Sequence, residues 1–274
     1  MIEERVPVAD GVRLHVLRWP GPERPYLLVH GLSSNARVWA GTADRLSAAG
    51  HPVVAVDLRG HGESDAPPDG YDTGTAAADL GALVAALELG EPVVAGQSWG
   101  GNVVLEYATR YPLHGLALLD GGWLHLADQF PDADAAWRVL APPRFNGMRL
   151  SDFHARLRSA HPDWPESGIL GTLGNLVELP DGTARARLAR DHHESIVRSM
   201  YLLPPRDRYP LVRVPTLLMP AVRDGDAHAA RARKLVAEAA AAIPDATVAW
   251  YEGADHDLHA QYPDRVASDL LGLA

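Results

Sequence analysis

Short apolar runs recur along the chain and alternate with stretches in which apolar residues repeat at helical spacing. Each run is apolar at both odd and even positions, which favours strands buried on both faces of a parallel sheet. The runs are PYLLVHG (25–31), HPVVAVD (51–57), EPVVAGQ (91–97), LHGLALLD (113–120), PTLLMPA (215–221) and TVAWYEG (247–253). The intervening stretches predict helices at 35–49, 73–89, 99–110, 226–243 and 262–273. This alternation predicts a doubly wound, mostly parallel α/β sheet.

Two segments depart from the alternation. Near the start, the Asp10-Gly11 pair separates two short extended stretches, which predicts a hairpin at the sheet edge. Residues 123–210 carry weak helical patches, scattered aromatic residues and many prolines, without a strand pattern. A segment this long is not a loop of a compact domain. We predict that 123–210 form a helical cap, or lid, inserted after the strand ending near Asp120, with 1–122 and 211–274 as one core. The lid would cover the carboxyl edge of the sheet, where such folds bind ligands.

The stretch GQSWGG (96–101) follows one of these strands and precedes a helical stretch. A strand that runs directly into a helix turns sharply, and the residue at the bend takes a strained conformation that crowds the positions two before and two after it. Gly96 and Gly100 occupy those positions around Ser98. The stretch matches the G-x-S-x-G pattern of a nucleophile elbow, in the strand–turn–helix context that the pattern requires. Ser98 is therefore the candidate nucleophile.

A serine nucleophile needs a base, and the base needs an acid to orient it. After the elbow, GADHDLHAQYP (253–263) offers His256 in a loop and His259 one helical turn further on. We predict His256 as the base and His259 as a wall or surface residue. Three aspartates could supply the acid: Asp224, where a loop leaves the sheet; Asp226, in the position of a helix N-cap; and Asp120, at the end of an earlier strand. Asp224 is the predicted acid, with Asp120 as its rival.

The tetrahedral intermediate of acyl transfer carries an oxyanion that needs two fixed donors. The backbone N–H of Trp99, at the start of a helix, is one candidate. The N–H of Leu32, in the loop HGLSSN (30–35), is the other. The same loop also suits a helix lead-in with Ser34 or Asn35 as its cap, and both interpretations can hold together.

The order of these motifs resembles that of the α/β-hydrolase superfamily. HGLSS (30–34), DLRGHGES (57–64), GQSWGG (96–101) and GADHDLHAQYP (253–263) carry the resemblance over nearly the whole length. The resemblance implies a triad of Ser98, His256 and Asp224, an oxyanion hole at Leu32 and Trp99, a lid and no cofactor. Ala221 stands where that family usually has glycine before the acid, which is a departure from the pattern.

Within this superfamily, a serine at the elbow argues against haloalkane dehalogenases and epoxide hydrolases, which place aspartate there. The HG loop lacks the proline-glycine pair of prolyl aminopeptidases and the glycine run of the hormone-sensitive-lipase type. We expect a serine hydrolase of esters, lactones or thioesters, and carbon–carbon bond hydrolases and cofactor-free perhydrolases remain as alternatives. The substrate would be a small apolar or acyl compound, with Trp123, Phe145 and Trp164 of the lid as candidate binding residues.

Two further hypotheses belong to other classes. A metallohydrolase could use HDLH (256–259) and DHH (191–193), although adjacent histidines are more often solvated helix faces. A ligand-binding protein could retain the hydrolase scaffold without its activity, since fold does not fix function. Elemental analysis would test the first hypothesis, and covalent labelling of Ser98 would test the second.

Composition argues against several further classes of protein. The 274 residues carry a formal charge of −10 without a basic block, which argues against binding to nucleic acids or to anionic membranes. There is no cysteine, so neither a disulfide framework nor a thiol nucleophile is available. The first residues lack the apolar region of a signal peptide, and no apolar run is long enough to span a membrane. We therefore expect a soluble, cytoplasmic protein.

Overall fold

The computed structural model describes residues 1–9, 11–145, 147–223 and 229–274. Within these ranges, the strands are β1 (Ile2–Ala9), β2 (Val12–Trp19), β3 (Tyr26–Val29), β4 (Val53–Val56), β5 (Val93–Gln97), β6 (Gly115–Leu119), β7 (Leu176–Glu178), β8 (Ala184–Ala186), β9 (Thr216–Met219), β10 (Ala221–Val222), β11 (Ala246–Val248) and β12 (Tyr251–Glu252). The α-helices are α1 (Ala40–Ala48), α2 (Thr73–Ala86), α3 (Trp99–Ala108), α4 (Ala133–Leu140), α5 (Leu150–Ala160), α6 (Glu166–Leu173), α7 (Arg190–Leu202), α8 (Ala229–Ala242), α9 (Leu258–Gln261) and α10 (Pro263–Leu271).

Eight strands form one sheet in the order β1-β2-β4-β3-β5-β6-β9-β11. From β4 to β11 neighbouring strands are parallel, while β1 and β2 form an antiparallel hairpin at one edge. Two short parallel strands, β10 and β12, pair just beyond β9 and β11. The predicted doubly wound, mostly parallel sheet with its edge hairpin is confirmed. Residue Asp10 of the predicted turn lies outside the described residues.

The strands of this sheet are apolar on both faces because helices cover both. In β3, the side chains of Leu27 and Leu28 are fully buried in two different clusters, one on each side of the sheet. One cluster includes side chains of α2, α3 and α8, and the other includes side chains of α1 and α10. This two-sided burial explains the apolar runs without alternation.

Four helices, α4 to α7, lie in the chain between β6 and β9. Apolar residues of α7, among them Ile196 and Met200, join the core cluster on one face of the sheet. The segment also contains the antiparallel hairpin of β7 and β8, around a turn at Asp181 and Gly182. The prediction that no strand interrupts this segment was therefore wrong. Strands of three residues are too short to show a period, although the Asp181-Gly182 pair is a turn signal.

Candidate functional site

Ser98 lies between the end of β5 and the start of α3, at the predicted bend. Its backbone has φ 55° and ψ −123°, a combination that L residues rarely adopt. Two backbone hydrogen bonds hold it there: the Ser98 N–H donates to the Leu119 carbonyl at 2.9 Å, and the Gly101 N–H donates to the Ser98 carbonyl at 2.9 Å. A strained residue that the surrounding chain holds in place is typical of functional sites.

The glycines on either side of Ser98 are there for steric reasons. A Cβ atom at Gly96 would lie 2.3 Å from the Gly100 carbonyl oxygen, and one at Gly100 would lie 2.4 Å from the His30 carbonyl oxygen. Both obstacles are backbone atoms, which cannot move aside as a flexible side chain would. The tight bend requires glycine at position 96, and its close approach to the end of β3 and the loop that follows requires glycine at position 100.

His256 lies in the loop between β12 and α9, and its ring is hydrogen-bonded to Asp120. The Nδ1–H group donates to Asp120 Oδ2 at 2.6 Å, which leaves Nε2 as the free acceptor of the ring. The other carboxylate oxygen of Asp120 accepts the Ala221 N–H at 3.2 Å. The Gln97 side chain, next to Ser98, donates to the His256 carbonyl at 3.1 Å and ties the histidine loop to the bend.

The acid that the described residues bring to His256 is thus Asp120. It follows β6, which is the neighbour of β5 in the sheet, and its φ of 40° is again positive. The next residue, Gly121, packs so closely on Ser98 that a Cβ atom there would lie 2.1 Å from the Ser98 carbonyl oxygen. Asp224, the acid predicted from the sequence, and Asp226 lie outside the described residues.

The environment of His256 raises its pKa. Partial desolvation by neighbouring atoms disfavours the charged ring, but the hydrogen bond and the negative charge of Asp120 outweigh it and raise the pKa of His256 from 6.5 to about 9. The side chain is 52% exposed, so water screens part of the carboxylate charge. Asp120 therefore stabilises the imidazolium form, which is the form a general base reaches after it takes a proton.

The Leu32 N–H lies in a tight turn whose other N–H groups are occupied. The Ser34 N–H donates to the Gly31 carbonyl at 3.2 Å, and the Ser33 N–H donates to His61 Nε2 at 3.2 Å. Among the described residues, neither the Leu32 N–H nor the Trp99 N–H has a backbone or side-chain acceptor. No described protein group therefore competes with an incoming oxygen atom for these two donors. The Asn35 side chain caps the following turn by accepting the Arg37 N–H, so the loop also serves as a helix lead-in, as predicted.

His61, from the DLRGHGES stretch, supports this turn from the core side. Its Nδ1–H group donates to the Arg59 carbonyl at 2.9 Å, so Nε2 is the acceptor that receives the Ser33 N–H. Burial and the neighbouring His30 lower the pKa of His61 to about 3, which keeps the ring neutral. No role was predicted for His61 from the sequence. The feature that could have indicated one is its position within the DLRGHGES motif, since a histidine by itself does not indicate this contact.

Asp57, from the same stretch, is a buried carboxylate that links the loop after β4 to strand β2 and to the turn that begins at Ala36. It accepts the Ala36 N–H at 2.6 Å and the Glu63 N–H at 2.9 Å, and His15 Nδ1 lies 2.8 Å from it. Burial alone would raise the pKa of Asp57, but the hydrogen bond with His15, the charge of His30 and the two backbone donors lower it. This network fixes the loops on which Leu32 and His61 lie.

The three aromatic residues predicted for substrate binding line three different cavities. Phe145 borders a cavity of about 150 Å³ beside Ser33 and His61. Trp164 borders a cavity of about 370 Å³ that includes Asp120 and His256, and its Nε1–H donates to Asp255 at 2.9 Å. Trp123 is buried in the main core cluster and borders a separate cavity with His125, Arg206 and Tyr209. The described residues do not bring the three together.

His259, predicted as a wall or surface residue, is a core residue. It is fully buried against Trp39, with the ring centroids 4.2 Å apart. Among the described residues, neither of its ring nitrogens has a hydrogen-bond partner. The prediction was wrong because α9 turns the side chain inward, toward the helices that cover this face of the sheet.

The described ranges contain no group of three or more histidine, cysteine, aspartate or glutamate side chains that could hold a metal ion. The histidines named for the metal hypothesis are engaged separately: His256 with Asp120, and His193 with Ser33. No helix in the described part of the chain is both long and apolar enough to cross a membrane.

Comparisons with known proteins identify a family and relatives that this chain resembles in sequence. A family model described as "Alpha/beta hydrolase family" matches residues 26–269. N-formylmaleamate deformylase of Pseudomonas putida is 30% identical over 254 residues, which are 90% of this chain and 87% of that protein. The AB hydrolase superfamily protein YisY of Bacillus subtilis is 36% identical over 91 residues, 33% of this chain, and the match spans only 34% of the length of that relative.

Solved structures share the fold over the full length. The crystal structure of E-2-(acetamidomethylene)succinate hydrolase matches with a TM-score of 0.83 at 24% identity, over 99% of this chain and 98% of that one. At this level of identity the likeness shows the fold alone.

Proposed function

Because the chain belongs to the alpha/beta hydrolase family, we propose that it is a serine hydrolase that cleaves a carboxylic ester or a related acyl bond through an acyl-enzyme intermediate. The observation that carries the proposal is the 2.6 Å hydrogen bond from His256 to Asp120, beside the strained bend that holds Ser98. A hydrogen-bonded acid and histidine near a partly buried serine are the parts that acyl transfer requires.

In the first half of the reaction, the Ser98 hydroxyl oxygen attacks the acyl carbon, and His256 Nε2 takes the hydroxyl proton. Asp120 holds Nδ1–H and stabilises the imidazolium. The tetrahedral intermediate collapses, the bond to the leaving group breaks, and His256 returns its proton to the leaving oxygen, nitrogen or sulfur. The acyl group is then bonded to Ser98.

In the second half, a water molecule is the nucleophile and attacks the acyl carbon that is bonded to Ser98. His256 accepts a proton from the attacking water, and the second tetrahedral intermediate releases the carboxylic acid and restores the Ser98 hydroxyl. The N–H groups of Leu32 and Trp99 stabilise the oxyanion in both halves. This assignment is supported by the finding that neither group has a protein acceptor among the described residues.

The cavity beside the oxyanion turn supports an apolar substrate group of limited size. Most of its wall is apolar and includes the side chains of Phe145, Phe153 and Leu188. The polar residues of the wall are Ser33, Ser34, His61, Asn175 and Arg187. At about 150 Å³, the cavity is comparable to the engineered apolar cavity that binds benzene. We expect an acyl or alcohol group of about this size to be favoured over long chains.

One comparison favours a second candidate reaction on the same residues. The relative matched over 87% of its length is named a deformylase. Cleavage of an N-formyl bond would use the same nucleophile, base and oxyanion donors, with nitrogen as the leaving atom.

The test is a panel of esters, lactones, thioesters and N-acyl compounds, with short, aromatic and long acyl groups. Ser98→Ala should lower turnover by a factor on the order of 10⁶ without loss of the fold, since it removes only a hydroxyl group. Ser268→Ala, on the exposed face of α10, is the matched control and should keep full activity. A fluorophosphonate should label the wild type and not Ser98→Ala.

Failure of the wild type to turn over any compound or to be labelled would favour the ligand-binding alternative. More than a tenth of wild-type activity in Ser98→Ala would show that another residue is the nucleophile. Turnover of a carbon–carbon bond or formation of a peracid would assign the triad to the other chemistries of the superfamily.

A further inference from the structure

Ser33 lies in the turn after β3 and is held from both sides by histidines. Its backbone φ of 59° lies in the left-handed region, which a serine adopts only when its surroundings hold it there. Its N–H donates to His61 Nε2 on the core side, and its hydroxyl group lies 2.8 Å from His193 Nδ1, on helix α7. The residue next to the candidate oxyanion donor Leu32 thus contacts the core and the segment between β6 and β9 at once.

The direction of the hydrogen bond between Ser33 and His193 follows from the second ring nitrogen. His193 Nε2 lies 3.0 Å from the Leu140 carbonyl oxygen, which only accepts, so Nε2 carries the proton and Nδ1 is the bare acceptor. The Ser33 hydroxyl therefore donates to Nδ1. Burial lowers the pKa of His193 to about 4, so the ring is neutral and keeps this acceptor near neutral pH.

His193 also joins two helices of the inserted segment. It belongs to α7, while its partner Leu140 is the last residue of α4, and the ring packs against Trp137 with centroids 5.7 Å apart. The side chain is buried, so loss of either hydrogen bond would leave a polar atom without water to replace the partner. The position of α7 on the core is therefore coupled to the conformation of Ser33.

We propose that the Ser33–His193 hydrogen bond positions the Leu32 N–H for the oxyanion, so that the hole is complete only while α7 is docked. Ser33 and His193 are positioning residues in this inference, which rests on the proposed function. The physical reason is that Leu32 and Ser33 are consecutive residues of one tight turn, so a shift of Ser33 displaces Leu32 and its N–H as well. A displacement of this donor by about 1 Å lowers the rate of acyl transfer steeply, because the oxyanion needs the N–H at hydrogen-bond distance.

The test combines three variants with a transition-state analogue. Ser33→Ala and His193→Phe each remove the hydrogen bond, and we expect kcat/KM on the best ester to fall about 10- to 100-fold, mainly through kcat. The inhibition constant of a trifluoromethyl ketone, which forms an oxyanion on Ser98, should rise by the same factor, while the dissociation constant of the alcohol product, which has no acyl oxygen to place in the hole, stays unchanged. His193→Asn, whose side-chain oxygen can accept near the place of Nδ1, should restore part of the loss.

Two controls make the result specific. Ser195→Ala removes an exposed hydroxyl from α7 two residues from His193, and it should match the wild type. The double variant Ser33→Ala/His193→Phe should be no worse than either single variant, because both remove one interaction.

The inference is overturned if Ser33→Ala stays within about threefold of wild type, or if kcat/KM falls while the affinity for the trifluoromethyl ketone does not. Failure of the proposed function has a different signature, because then the wild type itself would neither turn over substrate nor react with a fluorophosphonate.

Discussion

Asp120 Oδ2 and His256 Nδ1 lie 2.6 Å apart, although 136 positions separate the two residues in the chain. The arrangement of the strands brings them together, with β12 in the short parallel pair β10–β12 rather than in the main sheet. Asp120 follows β6, which pairs with β5 and so lies beside the bend at Ser98, while His256 follows β12. The contact gives the histidine a defined tautomer and assigns the acid of the proposed mechanism to the strand next to the nucleophile.

Asp120→Asn should lower kcat by about 10⁴ with little change in KM, because the carboxylate acts mainly on the imidazolium of the transition state. Asp224→Asn, which changes the acid predicted from the sequence, is the comparison and should keep near-normal turnover. Asp226→Asn should affect stability by about 1 kcal/mol at most, as expected for a helix cap. Steady-state kinetics of all three variants on one ester decide the assignment, and a collapse at Asp224 with Asp120 spared would reverse it.

The activity should increase with pH, because only the neutral ring of His256 accepts the serine proton. Asp120 raises the pKa of His256 from 6.5 toward about 9, and partial exposure of the ring screens this effect, so we expect the inflection of kcat/KM between these values. NMR titration of His256 in Ser98→Ala gives the same ionisation directly, and adding Asp120→Asn should lower it. An inflection at or below 6.5 would contradict the contribution of Asp120.

Gly100→Ala should destabilise the protein by about 3 kcal/mol, since the added Cβ would lie 2.4 Å from the His30 carbonyl oxygen and force backbone apart. Gly115→Ala in β6 is the matched control, because its Cβ would meet no atom closer than 3.3 Å. Denaturant unfolding of both variants measures the difference. Equal stability of Gly100→Ala and wild type would show that the bend has more room than the structure gives it.

The buried histidines should make the fold sensitive to acid. Burial lowers the pKa of His259 to about 3, whereas the unfolded chain titrates near 6.5. Between these values the unfolded state binds a proton that the folded state excludes, so the free energy of unfolding decreases as the pH falls from 6.5 toward 3. In His259→Phe, the number of protons taken up on unfolding in this pH range should be lower by about one, and the slope of the free energy of unfolding against pH should decrease accordingly.

Leu270→Ala separates that effect from general destabilisation. It removes a buried apolar side chain from α10, so it should lower stability at every pH and leave the slope against pH unchanged. Urea unfolding between pH 4 and 7 provides the comparison. An unaltered slope in His259→Phe would mean that the ring is not held neutral in the fold.

The sheet could be predicted because its strands carry their own signature. Residues such as Leu27 and Leu28 are apolar at successive positions only because helices cover both faces, and that condition defines a parallel sheet with crossover helices. The bend at Ser98 could be predicted for a related reason, since its geometry excludes every side chain at Gly96 and Gly100.

Contacts between distant segments could not be predicted in the same way. Several aspartates follow strands, and the choice of Asp120 depends on β6 pairing with β5, which no local pattern specifies. One local feature does distinguish Asp120 from the other aspartates. It is followed by Gly121, whose lack of a side chain lets the chain after β6 pack on Ser98. The pairing of Ser33 with His193 joins residues 160 positions apart and leaves no trace in either neighbourhood.

Strand β1 ends the order of the main sheet, so no strand of the described residues pairs with its outer edge. An open edge can act as a template for strands of other molecules and so start aggregation. Here that edge carries Glu3, Glu4 and Arg5, and Pro7 offers no N–H to a further strand. The pairing of β1 with β2 also shifts between Pro7 and Ala9, which interrupts a regular edge. Charge, proline and irregular pairing at this edge thus oppose the joining of sheets from two copies.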